Sequence, residues 1–231
     1  MTKTVFDALE VYHDDSSRSA AMNMALDEAL LENAKVPSLR LYRWDHAALS
    51  FGYFGRYADV ALHEPERELV RRWTGGGIVF HGDDLTYSIV IPAIDAAFAE
   101  SAMSIYEKTH RAIRNILVSI GQRAIIAAAA DRGTGASYRQ HCFANPVRAD
   151  VLIDGKKVAG AAQRRTRAGL LQQGSIQLAT GDVDLAADFE THFARELSEE
   201  AIARDLNGAI LDRAREIAAQ KYGTKAWLQK R

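Results

Sequence analysis

The 231-residue chain contains a single cysteine, Cys142. One thiol cannot close an internal disulfide, so the fold does not rest on one. No apolar run approaches the roughly 20 residues needed to cross a bilayer. The opening MTKTVFDALEVYHDDSS lacks the apolar stretch of a secretory signal. These absences predict a cytoplasmic protein without a membrane partner. Net charge is nearly absent as well, at −1, so the whole molecule offers no electrostatic argument for nucleic acid. Repeats, low-complexity stretches and long linkers are missing. The chain therefore reads as one domain over residues 1–231, with a helical C-terminal segment from about 182.

What is present is an ordinary globular composition, 48% hydrophobic and 26% charged. SRSAAMNMALDEALLENA (17–34) carries Ala21, Met24, Ala25, Leu26, Ala29 and Leu30 at helical spacing, which leaves Asp27, Glu28 and Glu32 mainly for solvent. LRLYRW (39–44) and ALSFGYF (48–54) read as strands joined by a short turn. ELVRRW (68–73) is a third strand, leading through a glycine turn into IVF (78–80) and LTYSIVIP (85–92). Ser104 with Glu107 forms a capping-box pattern at the head of a helix marked by Ile105, Ile113, Ile116, Leu117 and Ile120. RAIIAAAA (123–130) suits either a strand or more helix, and DRGTGAS (131–137) is a loop by composition. ADVLI, Asp154-Gly155 and KKVAGAAQR make a β-hairpin signal, and GLLQQGSIQLA (169–179) is a further strand. Helical patterns, SEEAIARDL among them, fill the rest. The sum is an α+β chain, a mostly antiparallel β-sheet with packed helices.

Three stretches can carry chemistry. In RRWTGGGIVFH (71–81), bare glycines let backbone amides approach a ligand beside Arg71 and Arg72, which suits a phosphate or a developing oxyanion. A plain turn between strands is the alternative. The nucleotide loops GxGxxG and GxxxxGK followed by Ser or Thr are both absent. In HCFANP (141–146), Cys142 follows His141 at the end of a polar loop, a common setting for a catalytic residue, although a lone cysteine is more often inert. In DGKKVAGAAQRR (154–165), strand alternation sends Lys156 and Lys157 to opposite faces. An inward lysine can act as a base or hold a carbonyl. Ala159, Gly160, Ala161 and Ala162 leave room along that strand for an acyl chain or a packed helix. Between 139 and 167, seven basic residues face two acids, Asp150 and Asp154, a cluster that suits an acidic partner or a solvated face.

RRWTGGGIVFH resembles the RRxTGGGxxxH signature of the biotin/lipoate protein ligase and lipoyl/octanoyl transferase superfamily. MNMALDEALL (22–31), LSFGYF (49–54) and GKKVAGAAQRR (155–165) agree with it in the same order. The resemblance implies the catalytic domain shared by class II aminoacyl-tRNA synthetases and biotin/lipoate ligases. Cys142-Phe143 before the hairpin resembles the cysteine-dependent octanoyltransferases of the ligase-like type. That implies Cys142 as nucleophile and Lys157 as its proton acceptor, with Arg72, Thr74, Gly75, Gly76, Gly77, His81, Gly160 and Ala161 holding substrate. It also implies acyl carrier protein as donor partner. Lipoyl domains, of the glycine cleavage H protein or of 2-oxoacid dehydrogenase E2 subunits, are the implied acceptors. That route needs no cofactor and no metal. The alternatives are an ATP- and Mg-dependent lipoate–protein ligase, an amidotransferase between lipoyl domains, and a non-catalytic acyl- or carrier-binding module. Gly55, Ala161 and Gln173 depart from the family pattern, and Arg148-Ala149-Asp150 stands where the cysteine transferases carry an aromatic-acid pairing and resembles the Arg-Asn-Asp stretch of the ligases.

Overall fold

The computed structural model describes residues 4–14, 16–61, 66–128, 146–177 and 183–230, with the side chains of 183–188 excepted. In chain order the elements are β1 (Ala8–His13), α1 (Ala20–Asn33), β2 (Ser38–Tyr42), β3 (Ala48–Phe51), α2 (Tyr57–Val60), β4 (Glu68–Arg71), β5 (Ile78–His81) and β6 (Leu85–Pro92). A single 3₁₀ turn precedes α3 (Ala102–Ser119). Then come β7 (Ala124–Ile126), β8 (Val151–Ile153), β9 (Lys156–Arg165), β10 (Gly169–Ile176), α4 (Val183–Leu197) and β11 (Glu200–Arg204). The last elements are α5 (Gly208–Ile217), a π-helical turn (Ala218–Tyr222) and α6 (Lys225–Leu228).

One large sheet has the order β11-β1-β2-β6-β10-β9-β8-β7, and a small sheet has β4-β3-β5. All neighbours from β2 to β7 in the large sheet are antiparallel, while β11, β1 and β2 run parallel. The expectation of a mostly antiparallel sheet with packed helices holds. Helices cover both faces. Leu39 and Leu41 of β2 face a core built with Ile105 and Ile113 of α3 and Phe193 of α4. Tyr42, next along the same strand, faces the opposite core, with α1 and α5. This is the period-two alternation of a strand buried on both sides.

β2 and β3 are strands joined by a short connection, as expected, although they enter different sheets. The strands on either side of the glycine turn, β4 and β5, both pair with β3, β4 in parallel. Other expectations are corrected. SEEAIARDL folds partly as strand β11, because the exposed edge of β1 supplies a parallel ladder that outweighs local helix preference. Ser104 is not the cap of α3. Ser101 caps it, accepting from the Ser104 amide, while the Ser104 hydroxyl donates to Glu100.

The reading of α1 is corrected most. Asp27 is fully buried and Glu28 nearly so. The helix is covered on one side by the sheet and on the other by α5 and the π-turn, so it has no broad solvent face for them. Asp27 accepts from Arg40 on β2 (2.9 Å), Tyr42 (3.0 Å) and Ser88 on β6 (2.7 Å). Glu28 accepts from Lys221 and Tyr222, at 2.6 Å each. Buried charges persist only with such partners. Tight Asp154-Gly155, by contrast, turns as expected, with φ of 48° and 78°. DRGTGAS lies outside the described residues.

Candidate active site

The hairpin turn sets the strand phase of β9. Lys156 is exposed and Lys157 buried, so one lysine does point inward. Its Nζ lies 2.9 Å from Asp150 Oδ2, with 3% and 0% of the two side chains exposed. Asp150 is held in turn from two directions. The Tyr106 hydroxyl of α3 donates to Oδ1 at 2.5 Å, and the Val147 amide donates to Oδ2 at 2.7 Å. Tyr106 Oη also accepts from the Ala161 amide at 3.1 Å. Burial, reinforced by the Asp150 charge, pushes the Tyr106 phenol far above its ordinary range, so it stays a donor.

Gly160 lines the pocket and also seats Lys157. A Cβ there would fall 2.1 Å from Lys157 Cε and 2.4 Å from Nζ. The space above Gly160 is filled by the folded-back lysine itself. Ala161 and Ala162 do line the pocket, together with Lys157, Met24, Trp44 and Val79. The pocket is narrow and partly open to solvent.

The glycine turn forms the facing wall. Arg72 reaches around it, with Nη2 donating to the carbonyls of Gly75 (3.1 Å) and Gly77 (2.8 Å). Gly76 has φ +84° and stands in the pocket wall, its side toward Ala162. Gly52 closes the back: a Cβ there would meet Gly76 O at 2.1 Å. Gly75 faces open space. Thr74 is fully buried and donates to Gln173 Oε1 at 2.8 Å, while Gln173 Nε2 donates to Asp27 at 2.7 Å. Gln173 is therefore a strut between the turn and α1, a role its amide fills by donating and accepting at once.

His81 lies at the pocket's polar end, with both ring nitrogens engaged by protein groups, Ser50 and Asp84. Sequence reasoning passed over Ser50, Asp84, Asp150 and Tyr106. Asp84 had a faint signal in its spacing of three from His81. Tyr106 had none beyond its place on α3. Arg71 points the other way, binding the carbonyls of Tyr53, Gly55, Trp227, Leu228 and Lys230. The basic cluster is present in part: Arg164 lies over the rings of Tyr53 and Trp73, about 5 Å from each. Cys142 and His141 lie outside the described residues.

Among the described residues, no group of three or more His, Cys, Asp or Glu is placed to hold a metal. No helix among them is long and apolar enough to cross a membrane.

A buried lysine thus stands across a small pocket from an arginine-pinned glycine turn. The chain belongs to the lipoyl protein ligase A/B catalytic domain family, whose model matches residues 19–206. The octanoyltransferase LipM of Oceanobacillus iheyensis is 36% identical over 194 residues, covering 80% of this chain and 70% of that protein. The octanoyltransferase LipM of Kyrpidia tusciae is 35% identical over 232 residues, covering 88% and 82%. In fold, the chain is similar to a lipoate protein ligase-like structure from Thermoplasma acidophilum with bound lipoic acid. The TM-score there is 0.76 at 20% identity, over 97% of this chain and 98% of that one.

Proposed function

We propose that this chain transfers an octanoyl group from acyl carrier protein to the target lysine of a lipoyl domain, through a thioester on Cys142. The observation that carries the reading is Lys157, which lines the pocket and is paired with the buried Asp150. Asp150 also binds the Val147 amide, five residues after Cys142 in sequence. The likeness to octanoyltransferases supports the same reading.

In the first step the Cys142 thiol sheds its proton and the sulfur attacks the octanoyl carbonyl, while the Lys157 ammonium, paired to Asp150, balances the thiolate charge. The carbonyl–sulfur bond of the donor breaks, and the departing thiolate takes up the proton. In the second step the acceptor lysine's amine attacks the Cys142 thioester. A carbon–nitrogen bond forms, the bond to Cys142 breaks, and the proton shed by the amine returns to the cysteine sulfur. A free thiol has a reference pKa of about 8.5, so few are thiolate at neutral pH, and a nearby lysine ammonium favours the reactive form. Splitting the transfer means the two carrier domains need not meet on the enzyme at once. The pocket lined by Met24, Val79, Ala161 and Ala162 is where the acyl chain is placed in this reading.

The deciding experiment mixes the purified protein with octanoyl-carrier protein, without ATP, and follows intact mass. An octanoyl adduct that disappears in Cys142→Ala and moves to added lipoyl domain supports the proposal. A Cys142→Ala variant that transfers octanoate as well as the wild type overturns it. Pyrophosphate release from ATP with free lipoate would point instead to a ligase.

A further inference from the structure

Four buried side chains form one continuous hydrogen-bonded line at the polar end of the pocket. Asp84 Oδ2 lies 2.8 Å from His81 Nδ1. His81 Nε2 lies 2.6 Å from Ser50 Oγ. Arg72 Nη1 donates to the same Ser50 Oγ at 2.6 Å. The other arm of Arg72 holds the carbonyls of Gly75 and Gly77. All four residues are at most 6% exposed.

The direction of every bond in this line follows from its ends. Asp84 also accepts from Ser175 (2.6 Å) and Thr86 (2.9 Å) through the same oxygen. A carboxylate so surrounded stays ionised and only accepts, so His81 carries its proton on Nδ1. Burial holds His81 below its ordinary pKa despite the pull of Asp84, and a neutral ring leaves Nε2 bare. Ser50 therefore donates to His81 and keeps its lone pairs for Arg72. One ring face of His81 is stacked on Trp44, with centroids 4.0 Å apart. With both nitrogens committed to protein groups, His81 has no polar atom left for a substrate.

We infer that His81 is a positioning residue: the line Asp84–His81–Ser50 fixes Arg72, and Arg72 fixes the glycine turn that forms one pocket wall. This replaces the expectation that His81 binds substrate. The turn needs such a device because glycine backbone is conformationally free. Peptide planarity makes the consequence definite. With the Gly75 carbonyl turned toward Arg72, the Gly76 N–H in the same peptide plane points away from the guanidinium. The inference rests on the proposed acyl transfer only for its kinetic readout.

The test uses Asp84→Asn and Ser50→Ala in the full chain. Asn at 84 can donate to Nδ1, moving the proton to Nε2 and opposing Ser50. Ser50→Ala removes the link but little volume, so it serves if the first variant folds poorly. Nitrogen-15 spectra should show wild-type His81 protonated on Nδ1 alone, and the amide signals of Gly75, Gly76 and Gly77 should shift in both variants. For octanoyl transfer, kcat should fall at least about tenfold while KM changes less than about threefold. Glycine signals that stay in place in a folded variant overturn the inference. A raised KM with unchanged kcat overturns it too, because that marks direct substrate contact. A wild-type protein with no octanoyl transfer defeats the proposed function alone, and the glycine signals still decide this one.

Discussion

Lys157 Nζ and Asp150 Oδ2 stand 2.9 Å apart in a place neither can leave for water. Removing one partner strands the other's charge. Lys157→Met should lower unfolding stability by roughly 3–5 kcal/mol. Adding Asp150→Asn should restore part of that loss, because a neutral amide is cheaper to bury. Octanoyl transfer should stay lost in both proteins. Urea unfolding and a transfer assay on the two variants read these outcomes, and a double variant with wild-type activity would remove Lys157 from the chemistry.

Gly160→Ala should unseat Lys157. Its Cβ would collide with the end of the Lys157 side chain and crowd Asp150. With the buried pair broken, stability should fall by roughly 3–5 kcal/mol. Lys157 leaves Asp150, and transfer should fall about as far as in Lys157→Met. Equal activity to wild type would mean that the lysine's seat is not needed.

Three glycines near the turn should respond differently. Gly75→Ala meets no atom and should change stability by well under 1 kcal/mol. Gly76→Ala forces a side chain onto φ +84°, about 1–2 kcal/mol of strain, and presses on Ala162. Gly52→Ala drives a Cβ into the carbonyl of Gly76, where only backbone can move, and should be the most damaging. Melting temperatures rank them, and a reversed order would refute the packing.

His110 is buried, donates from Nδ1 to the Ala149 carbonyl at 2.7 Å, and has its pKa pushed down to about 4 by burial. Its folded pKa lies below the unfolded value. The unfolded chain therefore takes up a proton first as pH falls. Stability is complete above the unfolded pKa near 6.5 and declines from there toward pH 4, by roughly 3 kcal/mol in all. His110→Gln should flatten that slope. Urea midpoints of the two proteins at pH 7 and pH 5 make the comparison, and parallel declines would contradict it.

Trp227 donates to the Arg71 carbonyl at 2.9 Å and packs on Tyr53 and Tyr222. Trp227→Ala should lower stability by about 2 kcal/mol, since the ring is half-buried, which is roughly 4–8 °C in melting temperature. Arg71→Lys should be worse than its charge suggests. An ammonium has three donors, and the guanidinium here serves five carbonyls.

The parts of this molecule that were legible from sequence are those decided locally. Asp154-Gly155 fixed a hairpin, and alternation from that turn put Lys157 inside. The glycine turn and Arg72 were marked by their spacing. What escaped was settled by partners far along the chain. Glu28 looks like a solvent residue until Lys221, 193 positions later, covers it. EAIAR has helix formers and becomes a strand only because β1 leaves an edge open. Ser50 and Tyr106 gain their roles from His81 and Asp150, 31 and 44 positions away, and neither separation has a pattern to read.

Arg71 and Arg72 leave consecutive positions on opposite errands, one to the tail and one to the pocket wall. The acceptors that Arg71 needs from Trp227, Leu228 and Lys230 come 156 to 159 residues later. At ribosomal rates that is on the order of ten seconds or more. Until then the strand that delivers Arg72 lacks its outer support, although most of the sheet has already been made. Assembly of the pocket is thus tied in time to the arrival of the tail, and a nascent chain stalled before residue 227 holds its glycine wall on one side only.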